Sequence, residues 1–231
     1  WFIILVSSFL NEKLFYQLLK EFQFLTEARN FAFKNPLYSF DSTSIALCLS
    51  IFPWAQFRST TGAVKLHTLL NNRTIIPEFI NITDGKVSDA KGIKQIDLPL
   101  EKGSIITFDR AYVDFELWIR IMKKECFFVT RTKTSQNLFV IKKHAVLPDT
   151  GVLADETVMC GDFNAQNKFP HHLRRVTYHD QVHNVTYEFI TNNFELSAEL
   201  IAFIYKQRWQ VELFFKWIKQ HLKIKTFLGT S

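Results

Sequence analysis

Cysteine is scarce in this chain. Cys48, Cys126 and Cys160 are far apart, odd in number and form no Cys-x-x-Cys pair. That excludes a disulfide framework and fits a reducing cytoplasm. The apolar opening, WFIILVSSFL, is too short to cross a bilayer and has no basic stretch ahead of it, so no membrane partner is expected. No Gly-rich phosphate-cradling loop or nucleophile elbow is present, which sets aside the chemistries those turns carry. Repeats, low-complexity tracts and Gly/Ser linkers are also missing, and the length suits one sizeable domain with an insertion.

Phenylalanine, by contrast, is abundant at 24 residues, as a large aromatic core would require. The net charge of +6 makes an acidic partner plausible without deciding it. The stretch 204–224, IYKQRWQVELFFKWIKQHLKI, has no Gly or Pro and carries apolar residues at helical spacing, which predicts one helix of several turns. At about 100° per residue, Tyr205, Arg208, Glu212 and Lys219 fall within roughly 60° of one another. Lys216 and Lys223 lie beside them, while Phe203, Ile204, Val211, Phe214, Ile218 and Leu222 form the opposite, core-facing side. Glu212 with Lys216 four residues on also reads as a plain ion pair. That pairing leaves Tyr205, Arg208 and Lys219 unexplained, whereas one acid in a basic stripe suits a metal ion acting on a polyanion.

Earlier in the chain, apolar spacing predicts a helix over 8–33, ended by Pro36, and a short strand over 37–45 delivering Asp41 at its end. Strands are expected at 63–70, with Lys65 and His67 on one face, and at 74–83, where Pro77 marks an edge or bulge. A polar loop follows, and Asp84 and Asp89 in it read as turn residues. The apolar run 104–109 looks like a buried central strand ending on Asp109, followed by a helix over 112–124 and a strand over 126–133 with a basic exit. Segments 138–190 read as β-rich, and Ser197 as the cap of the closing helices. The pattern is α/β: a mixed sheet flanked by helices.

Either aspartate alone is often a turn or cap residue. Two on neighbouring strands, joined by a Glu from a helix packed on the sheet, make three hard oxygen ligands that must be neutralised. Two divalent cations about 4 Å apart would do so and would serve in-line phosphoryl displacement. Tyr205, Arg208 and Lys219 would then hold DNA phosphates.

With these residues in place, the chain resembles the DDE transposases of bacterial insertion sequences that carry a Tyr-x2-Arg-x3-Glu-x6-Lys (YREK) signature. The signature is Tyr205, Arg208, Glu212 and Lys219. YEFITNN at 187–193 resembles that group closely, and FDSTS at 40–44, TGAVKLHTLL at 61–70, ITDGKVSD at 82–89, TFDRAY at 107–112 and FFVTRTK at 127–133 also match in order. The resemblance implies a ribonuclease H-like core with Asp41, Asp109 and Glu212 as catalytic metal ligands for Mg²⁺ (or Mn²⁺). It implies cleavage of double-stranded DNA at element ends, strand transfer into a target, a homodimer on DNA, and a nucleoid-associated place in the bacterial cytoplasm. The expected division is 1–36 as an N-terminal helical segment, 37–137 as the first part of the core, 138–184 as a β-rich insertion, and 185–231 as the last strand and catalytic helix.

Two departures stand out. Ala111 replaces the usual Gly of a DRGY-like motif, a change that strains any turn needing positive φ. The separate DNA-binding region and the further helix of the family are also missing, so a fragment is expected. Other readings are a nuclease that cuts without joining, a repurposed transposase that binds DNA without catalysis, and a two-carboxylate hydrolase of sugars, for which the basic helix face gives no reason. His171, His172, His179 and His183 with Cys160 lack the paired spacing of a zinc site. Trp209 and Trp217 read as core or interface residues. Arg110, Arg131 and Lys133 leave strands where phosphate contact is favoured.

Overall fold

A computed structural model describes residues 13, 14, 16–18, 21, 28–47, 56–58, 61–94, 96–132 and 136–221. Among these residues, ten strands form a single sheet. They are β1 (Leu37–Leu47), β2 (Gln56–Arg58), β3 (Thr61–Asn71), β4 (Ile76–Asp84), β5 (Ile105–Thr107), β6 (Phe127–Arg131), β7 (Leu138–Lys143), β8 (Val152–Cys160), β9 (Leu173–Asp180) and β10 (Val185–Thr191). The helices are α1 (Asp89–Lys94), α2 (Phe115–Lys123), α3 (Phe163–Lys168), α4 (Ala198–Lys206) and α5 (Trp209–His221).

β1, β3 and β4 pair antiparallel, while β5 lies parallel to β1 and β6 parallel to β5. β10, β9, β8 and β7 then continue the same sheet as an antiparallel series from β6. The β-rich stretch thus adds strands to the core sheet.

Strand alternation sorts the core onto two faces. Tyr38, Phe40, Ile106 and Phe128 point to one cluster with Tyr112, Trp118 and Phe169, beneath α1–α3. Leu37, Ile105, Val129 and Phe189 point to the other, beneath α4. Leu66 and Leu70 of β3 meet Val211, Phe215 and Ile218 of α5. The short β5 is wholly buried because helices cover both its faces, so it reads as a continuous apolar run.

The structure corrects several expectations. The helix expected over 8–33 does not reach its end, since 28–31 are coil, and much of its remainder lies outside the described residues. β1 runs on to Leu47, so Asp41 sits inside a strand whose far half keeps its pairing with β3. The run from Asp89 is a helix. Asp89 itself accepts from Lys65 Nζ at 2.8 Å and from Ser42 Oγ at 2.5 Å, so it ties β1 to β3 instead of closing a turn. His67 is fully buried, stacked on Phe40, and so close to Gly92 that any Cβ there would overlap its ring. Before α2 comes a 3-10 turn, Arg110–Tyr112, and Asp114 caps α2 by accepting from Leu117 N. Ala111 lies inside that turn and not among the positive-φ residues, so its Cβ causes no strain. Pro77 stands where the β3–β4 register shifts, and Ser197 caps α4.

The largest correction concerns 204–224. The chain forms two helices there, with α4 ending at Lys206 and α5 starting at Trp209. The Gln207 carbonyl accepts from Asn72 Nδ2 at 2.8 Å, from Ser39 Oγ at 3.5 Å and from Gln210 N at 3.0 Å. Side-chain donors inserted into the helix ladder break it without any Gly or Pro. Around the break, Arg208 N bonds Tyr205 O and Val211 N bonds Arg208 O, the tighter i→i−3 pattern. Leu222 and Lys223 lie outside the described residues.

Candidate active site

The parallel pairing of β1 with β5 ends at Ser39 opposite Thr107, whose hydroxyls bond at 2.9 Å. Asp41 and Asp109 each stand two residues beyond that pair, which brings two acids from distant sequence within electrostatic reach where β1 and β5 part. Asp109 caps the 3-10 turn, its carboxylate accepting from Arg110 N at 2.6 Å. That turn carries Tyr112 into the core, where its ring meets Phe40 edge-on at 5.4 Å. Its hydroxyl donates to Asp41 Oδ1 at 3.4 Å, and Ser42 N donates to the same oxygen at 2.8 Å.

Packing of Val211, Phe215 and Ile218 seats α5 on β3 and turns Glu212 toward Asp41. Arg208, at the helix break, reaches between them. Its Nη2 lies 2.5 Å from Glu212 Oε1 and its Nη1 3.6 Å from Asp41 Oδ2. The break therefore puts Arg208 and Glu212 on a shared carboxylate cluster, a placement that a continuous helix stripe does not describe.

Burial pushes the Asp41 carboxyl up to about 6, and the nearby Glu212 and Asp109 charges add to this, against the opposing pull of the Ser42 N–H and Arg208. Burial is thus the main reason that the carboxyl is held up, and the Ser42 N–H and Arg208 offset it only in part. A cleft of about 630 Å³ opens over Asp41, Ser42, Thr43 and Glu212, with Lys216 and Lys219 exposed at its mouth.

Tyr205 is set back from the carboxylates. It is buried on α4 with its ring 4.9 Å from Phe189, and the Arg208 guanidinium lies 5.7 Å over it. Arg131 stacks on Tyr187 at 5.0 Å, Arg110 is exposed, and Lys133 lies outside the described residues. Lys65 pairs with Asp89, and His67 is buried away from the cleft. His179 and His183 bond Thr186 and Asp180. Trp209 and Trp217 are exposed at 55% and 57%, so neither belongs to the core.

Residue-by-residue reading missed Tyr112, Ser39 and Asn72 as parts of this site. Tyr112 stood in the TFDRAY motif, yet nothing local shows that its hydroxyl meets Asp41. Asn72 lies between two expected strands, where nothing local points to Gln207.

The donor set suits hard divalent ions, since three carboxylates lie within electrostatic reach and one is held above its ordinary range by burial. Among the described residues, no three acidic, His or Cys side chains already stand at common ligand distance. Arg208 lies between Asp41 and Glu212 instead.

An antiparallel trio joined to parallel strands, with helices on both faces, defines a ribonuclease H-like fold. Residues 32–230 match the transposase DDE domain family, and the chain belongs to it. It is similar to three proteins that carry transposase as a provisional name. The first, y4zB of Sinorhizobium fredii, is 35% identical over 195 residues, 83% of this chain and 53% of that protein. The second, assigned to insertion sequence element IS5377 of Geobacillus stearothermophilus, is 31% identical over 88% of this chain and 53% of its own length. The third, assigned to IS4SA of Synechocystis, is 28% identical over 84% and 54%. The chain thus spans about half the length of these relatives. The family uses divalent metals. Among the described residues, no helix is long and apolar enough to cross a membrane.

Proposed function

We propose that this chain is the catalytic core of a transposase that cuts double-stranded DNA at the ends of a mobile element and joins the cut strand to a target. The observation that carries this reading is the Arg208 guanidinium held between Asp41 and Glu212, two acids from remote parts of the chain, with Asp109 near enough for its charge to act on the Asp41 carboxyl. Asp41, Asp109 and Glu212 would hold two divalent ions, Mg²⁺ or Mn²⁺, whose chemistry when bound is to activate water or a 3′-hydroxyl and to stabilise the leaving oxygen.

The chain's own residues do the rest. Ser42 N–H and Tyr112 O–H fix one oxygen of Asp41 and leave the other toward Arg208. Lys216 and Lys219 at the mouth attract the DNA backbone, and Arg208 offers a two-pronged donor to a phosphate. Tyr205 supports Arg208 from beneath. The 138–184 segment would be the β-rich insertion, and its strands continue the sheet beyond β6. Two element ends must meet for joining, so the working form is a homodimer on DNA, in the bacterial cytoplasm at the nucleoid.

The test is divalent-ion-dependent nicking of duplex DNA carrying the inverted repeats that flank the source gene. Asp109→Ala and Glu212→Gln should lower nicking by more than about 100-fold while DNA binding persists. Joined products distinguish transposition from plain cleavage. A protein that binds DNA with steep salt dependence and never nicks it would instead be a DNA-binding derivative of the family.

A further inference from the structure

We infer that Arg208 is a built-in stand-in for the divalent ions: it neutralises the carboxylates in their absence and turns out of the cluster when they bind, which frees it to grip a DNA phosphate. The inference rests on the proposed ligand set and adds an exchange of cations to it.

Three features of the site support the exchange. The first is position. The guanidinium spans Glu212 and Asp41 at 2.5 and 3.6 Å, between two of the side chains that would hold the ions. Cations and guanidinium therefore compete for the same oxygens. The second is asymmetry of restraint. Asp41 is pinned through Oδ1 by Ser42 and Tyr112, while its Oδ2 faces Arg208. Arg208 is less well satisfied: its Nε is buried and has no hydrogen-bond partner among the described residues. A buried unmet donor lowers the cost of leaving. The third is a place to go. Arg208 also lines a second groove of about 910 Å³ on the other side of the helix break, together with Arg29, Arg131, Tyr187 and Trp209. The Tyr205 ring under its guanidinium belongs to that groove as well, so a rotation of the side chain along this ring exchanges carboxylates for the groove.

Ions entering the cluster thus deliver a third arginine to a groove that already holds two, and a phosphate in that groove draws Arg208 away from the carboxylates. The two binding events favour each other, and linkage requires the coupling to be equal in both directions.

Mn²⁺ binding to the DNA-free chain, read by electron paramagnetic resonance, tests the exchange. Arg208→Ala, and Arg208→Gln as a variant that keeps side-chain length, should bind Mn²⁺ roughly 5- to 150-fold tighter than wild type, the usual span of a coupling between sites. Asp41→Asn and Glu212→Gln should bind it more weakly. Unchanged or weaker binding in both Arg208 variants, with Mn²⁺ still lost in Asp41→Asn, overturns the exchange and leaves the metal site standing. Absence of Mn²⁺ binding in every protein overturns the metal site and the exchange together. A metal-free measurement checks the neutralising role separately. Arg208→Gln should unfold at lower urea than wild type, and adding Asp41→Asn should recover much of the loss. No recovery overturns that role.

Discussion

Replacing Asp41 by Asn in metal-free buffer tests the electrostatics of the site through stability alone. Burial, with Glu212 and Asp109 nearby, raises the Asp41 carboxyl from its ordinary 3.8 to about 6. Between these values the native protein holds a proton that the unfolded chain has lost. The stabilising protonation is therefore fully present below about pH 3.8 and is lost as pH rises through about 6. At about 1.4 kcal/mol per pH unit, the ionised carboxylate costs the fold about 3 kcal/mol at neutral pH. Asp41→Asn keeps the shape and removes the charge. In urea unfolding with a chelator present, the variant should exceed wild type by about 2–3 kcal/mol at pH 7–8, with the gap closing toward pH 4. Addition of Mg²⁺ should narrow the gap by stabilising wild type alone. A difference that stays constant from pH 4 to 8, or a variant less stable than wild type at pH 8, would refute the account of an acid held up by its burial.

Other consequences follow from particular contacts. Arg174 is buried and holds Asp155 through two hydrogen bonds at 2.8 and 2.7 Å, with further bonds to the Asn193 and Leu196 carbonyls just before α4. Arg174→Met should cost about 3–5 kcal/mol in urea unfolding by stranding Asp155, and Asp155→Leu in the same chain should return much of it. Trp118 is fully buried against Phe128, Phe169 and Phe115, so Trp118→Ala should lose about 3–5 kcal/mol by the same measurement. Asn72→Ala removes the shortest side-chain donor to the Gln207 carbonyl. It should cost about 1–3 kcal/mol and slow nicking as Arg208 and Glu212 lose their fixed offset.

Much of the layout was legible residue by residue. The apolar run before Asp109, the alternation of β3 and the β-prone series after 138 are local patterns, and each became a strand. Asp41, Asp109 and Glu212 could be singled out because each ends or interrupts an apolar stretch with a charge. Their mutual placement was harder to read. Asp41 read as standing at the end of a short strand over 37–45, yet pairing with β3 carries β1 well past it. Lys65 read as a strand residue sharing a face with His67 and Asp89 as a turn residue, and only the folded sheet pairs them.

The one-dimensional chain settled which faces are apolar, where strands run and which acids and bases are on hand, because these depend on neighbours within a few positions. Only the folded molecule decided that the long closing helix breaks at Gln207, since the amide that holds its carbonyl belongs to Asn72, 135 positions away. It alone placed the Tyr112 hydroxyl on Asp41 and the Arg208 guanidinium between two acids. Hydrogen bonds and ion pairs of this kind depend on distances in space that no local periodicity encodes.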